Sequence, residues 1–404
     1  MNFHVPLIYF FEVFWIFNYR IYMWKRLLYA LCILSALTAA AQNKTIKTFT
    51  NPILPSGADP WITYKDGFYY YTNTLGDSLI IWKTKDIADL RKAPKKTIWI
   101  PPIGKSYSSD IWAPEMHFID NKWYMYFAAD DGKNKNHRLY VLENPSPDPL
   151  LGEWIFKGQL GEAFNKWAID GSVFGHNGQL YLIWAGWEGD ENGQQNIYIA
   201  KMKNPYTVVG KRVKISSPEY DWEKYGDLND PENPRHVYVN EGPEVLKRGD
   251  KVFLIYSASG CWTDYYALGM LTAFASSDLL DPESWKKSPK PVFSQNKENS
   301  VYAPGHNAFF KSPDGKEDWI LYHANSKPGL GCGGERSPRM QMFTWTKDGT
   351  PSFGLPVKEG VPINAPSEAE VIVAKPPKAP GNKKKPVSKD GRKQTIIINN
   401  KKNN

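Results

Sequence analysis

Five times between residues 57 and 322 the chain repeats one unit: a small or acidic residue, an apolar strand, a short turn, then a strand of aromatic and β-branched residues. The units open at Gly57-Ala58-Asp59-Pro60, Trp112-Ala113-Pro114-Glu115, Ile169-Asp170-Gly171, Glu241-Gly242-Pro243-Glu244 and Pro304-Gly305-His306-Asn307. Their turns are expected at Asp66-Gly67, Asn121-Lys122, Asn177-Gly178, Gly249-Asp250 and Ser312 to Gly315. Asp-Gly and Asn-Gly between β-rich runs are strong hairpin signals. The spacing of 55 to 72 residues leaves room for a four-stranded sheet at each step, and no long amphipathic helix interrupts the series. Radial repetition of small sheets leaves only short, protected edges. An all-β, five-bladed β-propeller follows.

The ends read differently. Met23-Trp24-Lys25-Arg26, the apolar run Leu27 to Leu37 and Ala39-Ala40-Ala41 have the order of an export signal, with cleavage expected before Gln42. Residues 1–41 are therefore a leader, in which Met1 to Tyr22 is either a mis-assigned extension ahead of Met23 or an extra membrane-inserting stretch, a choice the sequence leaves open. Cys32 lacks the small residue before it that a lipid-anchoring site needs, so no stable membrane anchor is expected. Residues 42–374 form the propeller, expected to be the catalytic domain, and residues 375–404 a basic, disordered tail. The formal charge of +8 lives in these ends: the tail carries ten Lys/Arg against one Asp, and residues 42–374 a net −3. No nucleic-acid partner is expected from so mildly acidic a body. Two cysteines follow the leader, Cys261 and Cys332, and the sequence leaves open whether they are a disulfide or free thiols.

In a propeller the first strand of each blade lines the central channel. Asp59, Asp170, Glu241 and His306 would therefore meet at one mouth, although they are far apart in sequence. The five opening motifs, with Trp167-Ala168-Ile169-Asp170-Gly171 and Asn240-Glu241-Gly242-Pro243-Glu244, resemble glycoside hydrolase family 43 over roughly residues 46–370. The resemblance implies hydrolysis with inversion at the anomeric carbon, Asp59 as general base, Glu241 as general acid and Asp170 as the group that tunes and orients the acid. Inverting glycosidases need one carboxylate to activate water and one protonated carboxyl to protonate the leaving oxygen. The resemblance implies no cofactor for the chemistry, but His306 as holder, through water, of a metal, often calcium, near the axis. Calcium prefers oxygen ligands, and no Asp-rich calcium loop is present, so a plain polar channel residue is the competing assignment for His306.

Trp61, Trp112 and Trp167 adjoin the acidic positions, and core packing and sugar-stacking walls are equally open to them. Glu115 opens the second unit and is a candidate substrate contact. Glu244 lies three residues after Glu241, which in a regular strand puts it on the opposite face, a structural position. Arg336 and Arg339 resemble the family's substrate-contacting arginine region, and which of them reaches the site is open. The stretch Ser257 to Cys261 with Tyr266 to Met270, and Tyr322-His323-Ala324, resemble the arabinofuranosidase branch. This implies exo-removal of terminal α-L-arabinofuranosyl units from arabinan or arabinoxylan, with hemicellulose or pectin side-chain oligosaccharides as partners, by an exported enzyme. A β-xylosidase or bifunctional enzyme is the alternative within the family, and a non-catalytic carbohydrate-binding propeller the alternative outside catalysis.

Overall fold

The computed structural model describes residues 22–26, 47–163, 165–227 and 236–368. The expected cleavage before Gln42, the leader apart from residues 22–26, and the basic tail lie outside the described residues. Among the described residues no helix is long and apolar enough to cross a membrane.

The chain folds into five four-stranded antiparallel blades. Blade one contains β2 (Trp61–Lys65), β3 (Phe68–Thr72), β4 (Leu79–Thr84) and β5 (Lys95–Trp99). Blade two contains β6 (Ser109–Ile119), β7 (Lys122–Asp130), β8 (Arg138–Asn144) and β9 (Ile155–Gln159). Blade three contains β10 (Ala168–His176), β11 (Gln179–Trp187), β12 (Gln195–Asn204) and β13 (Thr207–Ser216). Blade four contains β14 (Asn240–Arg248), β15 (Lys251–Ala258), β16 (Ala267–Phe274) and β17 (Lys286–Lys287). Blade five contains β18 (Tyr302–Lys311), β19 (Asp318–Asn325), β20 (Ser337–Trp345) and β21 (Pro351–Ser352). The first strands touch one another in a closed ring, β2 to β6 to β10 to β14 to β18 and back to β2.

Each blade's second strand is sandwiched between neighbouring blades, which explains its nearly unbroken apolar run. In β7 every residue after Lys122 is buried, and β15 and β19 behave the same way. Side chains from facing blades make the core; Tyr70 of β3, for example, meets Trp123 of β7 with ring centroids 5.0 Å apart. Trp123, Trp184, Trp187 and Trp319 are fully buried, each contributing roughly 1.5–3 kcal/mol of apolar burial. The outer strands carry lysines instead, including Lys95, Lys96, Lys157, Lys211 and Lys214, which discourage edge-to-edge pairing.

Four of the five hairpin turns fall where the repeat places them. The second is Asp120-Asn121 rather than Asn121-Lys122, because both turn residues adopt positive φ and Lys122 already pairs with Ile119. The ring closes through residues 51–57, which lie along blade five. Asn51 exchanges two hydrogen bonds of 2.9 Å with the backbone of Met340, and Gly57 N–H donates to the Arg336 carbonyl at 2.9 Å. Two further short strands, β1 (Thr48–Phe49) and β22 (Ile363–Asn364), pair with each other outside the blades.

A buried polar cluster fixes the start of β14. Glu223, fully buried, accepts from Lys287 Nζ at 3.0 Å, Asn240 Nδ2 at 3.0 Å, the Tyr256 hydroxyl at 2.8 Å and the backbone N–H groups of Glu219 and Tyr220. Removing one partner of such a pair strands the other charge away from water. Glu223→Ala should therefore destabilise the fold by about 3–5 kcal/mol. Urea unfolding measures this; a loss below about 1 kcal/mol would mean that Lys287 finds water in the variant.

Candidate active site

The channel mouth is built by one backbone device repeated around the ring. Asp59 (φ 53°), Ala113 (φ 43°), Asp170 (φ 55°), Gly242 (φ 53°) and His306 (φ 49°) all occupy the left-handed region. In β6, β10, β14 and β18 the pairing register shifts at these positions. A bulge re-aims the side chains around it. For the four non-glycine residues the conformation costs of order 1 kcal/mol each, so contacts at the mouth must hold it.

They do so most visibly at Asp59, just ahead of β2. Its Oδ1 accepts from Arg336 Nη1 at 3.0 Å and its Oδ2 from the Thr74 hydroxyl at 2.7 Å. Its backbone N–H donates to His323 Nδ1 at 3.0 Å, and His306 Nδ1 lies 3.4 Å from Oδ1. Burial pushes the Asp59 carboxyl up, but Arg336, the two imidazoles and Thr74 outweigh it and hold the group well below the usual carboxylate range. Burial also drives both imidazoles toward their neutral form. The lasting positive charge beside Asp59 is therefore that of Arg336.

Glu241, the second residue of β14, has the opposite balance. Burial raises its carboxyl to about 7, helped by the charge of Asp59 and opposed by a hydrogen bond from Tyr266. The Tyr266 hydroxyl donates to Glu241 Oε1 at 2.8 Å. Tyr266 fits here because Gly305 has no side chain; a Cβ at 305 would lie 2.2 Å from the Tyr266 ring. Asp170 is buried, and its Oδ2 accepts the Gly242 N–H at 2.9 Å, tying β10 to the residue after Glu241. Burial first, then the charges of Glu241 and Asp59, raise Asp170 well above the usual range.

Glu115 and Glu244 form a second acidic pair, near Asp170. Glu115 is buried and contacts His117 Nε2 at 2.9 Å, and the Ser172 hydroxyl lies 3.4 Å from Glu244 Oε2. Burial pushes both carboxyls up, and Glu115 adds to the rise at Glu244. The strand-alternation expectation for Glu244 is thus corrected. The register shift between Glu241 and Glu244, with Gly242 at positive φ, turns both side chains inward. Glu115 in turn faces Glu244 and His117.

The other expected site residues separate clearly. Trp61 is buried, donating to the Met116 carbonyl at 2.9 Å, and Trp167 is buried against Trp187 at 4.5 Å. Trp112 is half-buried at the mouth, stacked on His137 at 4.0 Å. Arg336 reaches Asp59; Arg339 is fully buried and instead pairs with Glu359 at 3.2 Å and Ser326 at 2.7 Å. His306 stands beside Asp59, with Arg336 in the same cluster, and among the described residues no group of three or more His, Cys, Asp or Glu side chains is disposed to hold a metal ion. Thr74, Tyr266 and His323 were not expected here from sequence. His323 lies in β19, and Thr74 and Tyr266 lie in the connections between the second and third strands of their blades, where the repeat carries no signal for the channel. Cys261 and Cys332 form a disulfide between the β15–β16 and β19–β20 connections.

The sequence profile described as "Glycosyl hydrolases family 43" matches residues 49–351. An extracellular exo-α-(1→5)-L-arabinofuranosidase of Streptomyces avermitilis is 40% identical over 80% of this chain and 66% of its own length. A protein of the same name from Streptomyces chartreusis is 40% identical over 68% of this chain and 82% of its own. The chain thus spans about two thirds of the first relative and more of the second. A crystal structure of α-L-arabinofuranosidase from Lactobacillus brevis superposes with a TM-score of 0.71 at 39% identity, covering 78% of this chain and 98% of that one.

The buried acids predict an unusual pH dependence of stability. Asp170, Glu115, Glu244 and Glu241 bind protons more tightly folded than unfolded, so their stabilising effect is complete below about pH 4 and is lost as pH rises through their folded values. Asp59 acts oppositely, but only in the acid range, and His117, His306 and His323, which burial holds neutral, act oppositely up to about pH 6.5. The melting temperature should therefore fall chiefly between about pH 6.5 and pH 8. Glu115→Gln, which mimics the protonated acid, should flatten that fall; calorimetry showing an unchanged slope would mean Glu115 is ionised in the folded protein.

Proposed function

Because the chain belongs to glycosyl hydrolases family 43, we propose that it is an exported, inverting α-L-arabinofuranosidase that removes terminal α-L-arabinofuranosyl units from arabinan or arabinoxylan. The observation that carries this reading is the opposite protonation of two carboxyls at one mouth. Asp59 is kept ionised by Arg336 and Thr74, while burial keeps Glu241 protonated toward pH 7. In this reading Asp59 takes a proton from a water whose oxygen attacks the anomeric carbon. The bond from that carbon to the leaving oxygen breaks on the opposite face, and that oxygen takes the Glu241 proton. Tyr266 occupies Oε1, leaving Oε2 to carry the proton. Asp170, bound to the Gly242 N–H, orients the acid. The products are free arabinose with inverted configuration and a polymer shorter by one residue.

The sugar assignment is supported by relatives named as arabinofuranosidases at 40% identity. Partners of this kind are arabinose-bearing side chains of hemicellulose or pectin. Export is supported by the leader pattern, by relatives named extracellular, and by the Cys261–Cys332 disulfide, a bond that persists in oxidising compartments.

Asp59→Asn and Glu241→Gln should each lower kcat/KM on an aryl α-L-arabinofuranoside by about 100-fold to 10,000-fold with the fold intact. Proton NMR of the first-formed sugar should show the inverted anomer. Retention of configuration, unchanged rates in both variants, or faster turnover of the matching aryl β-xyloside would each contradict the proposal.

A further inference from the structure

Two tyrosines stand exposed on the same end of the propeller as the carboxyls. Tyr225 and Tyr265 are 46% and 47% exposed, yet their rings stack at 4.2 Å with planes 19° apart. Tyr225 belongs to the connection from β13 to β14 and Tyr265 to the connection from β15 to β16. In an antiparallel blade both connections lie at the end where β14 begins, beside Glu241. An isolated surface tyrosine would be unremarked, but in a stacked pair each ring supports the other and leaves its outer face open to a ligand.

The loops that carry it are fixed. Gly260 N–H donates to the Tyr225 carbonyl at 2.8 Å, and Tyr225 N–H to the Ser259 hydroxyl at 3.1 Å. Trp262 Nε1 donates to the Gly226 carbonyl at 2.8 Å. The Cys261–Cys332 disulfide ties the same loop to blade five, and Asp264 Oδ1 accepts the Gly329 N–H at 2.8 Å. Rings held in place this way lose little freedom when a ligand settles on them.

Their position relative to the acid gives the surface a direction. Tyr265 is followed by Tyr266, whose hydroxyl holds Glu241. The acid protonates the oxygen that joins the released sugar to the rest of the chain, so the rest of the chain leaves the pocket on the Glu241 side. Sugar rings present apolar C–H faces, which lie well on flat aromatic rings whose hydroxyl tips remain in water. We propose that Tyr225 and Tyr265 form a platform binding the leaving-group sugars of an arabino-oligosaccharide, beyond the pocket that holds the terminal residue. This rests on the arabinofuranosidase reading and adds to it a binding surface for chain length.

The test compares kcat/KM on α-1,5-arabinotriose with that on methyl α-L-arabinofuranoside, whose leaving group is too small to reach the platform. Tyr225→Ala and Tyr265→Ala should lower the trisaccharide value by roughly tenfold, mainly through KM, and leave the methyl glycoside within about twofold. Tyr265→Phe, which keeps the ring, should restore trisaccharide turnover. Equal losses on both substrates, or no loss on the trisaccharide in folded variants, would overturn the platform. A wild-type protein that turns over neither substrate would overturn the arabinofuranosidase reading and the platform with it.

Discussion

Everything at the mouth depends on a backbone bend that the five innermost strands share. A regular strand alternates its side chains, which would send half of the acidic residues away from the channel. The left-handed residues at 59, 113, 170, 242 and 306 break that alternation once in every blade. Each bend is locally unfavourable except at Gly242, and each is stabilised by bonds that cross from one blade to the next. Asp59 is held from blade five by Arg336 and His323, Asp170 holds the backbone of blade four, and His306 N–H donates to Ser257 of blade four at 2.8 Å. The strained positions and the bonds between blades are thus the same residues that form the site.

Charge is sorted by small differences in surroundings. Asp59 and Glu241 are both half-buried at the mouth, and desolvation alone would push both toward the protonated form. A guanidinium at 3.0 Å and a hydroxyl at 2.7 Å reverse the outcome at Asp59. Glu241 receives only a phenol, and it also feels the charge that Arg336 stabilises on Asp59. Ionising one carboxyl therefore helps keep the other protonated, the division of labour an acid–base pair requires.

The fold was legible because its signal is local and repeated. Asp66-Gly67 and Asn177-Gly178 mark hairpins whatever surrounds them, and five such units leave few architectures open. The misplaced second turn has a local cause too: Asn121-Lys122 and Asp120-Asn121 differ only in which pair takes positive φ. The site was legible where its residues open a repeat, as Asp59, Asp170 and Glu241 do. It was not legible where tertiary contact decides. Arg336 and Arg339 lie three residues apart on one strand region, and only the path of residues 51–57 along blade five determines which one meets Asp59. Glu244 escaped because a bulge cannot be counted from spacing. Trp61 and Trp167 are core residues chemically identical to sugar-stacking ones, and Tyr266 needed the missing Cβ of Gly305 to be noticed.

The central claim is that Arg336 keeps Asp59 ionised opposite a protonated Glu241. The pH profile of kcat/KM, for the wild type and for Arg336→Ala, tests it most directly. In the wild type the basic limb should fall near pH 7 and the acid limb below the ordinary carboxylate range, since activity needs Glu241 protonated and Asp59 ionised. Removing Arg336, which lowers both groups, should move both limbs to higher pH. A wild-type rate that stays level through pH 9, or an Arg336→Ala profile with unmoved limbs, would contradict the account.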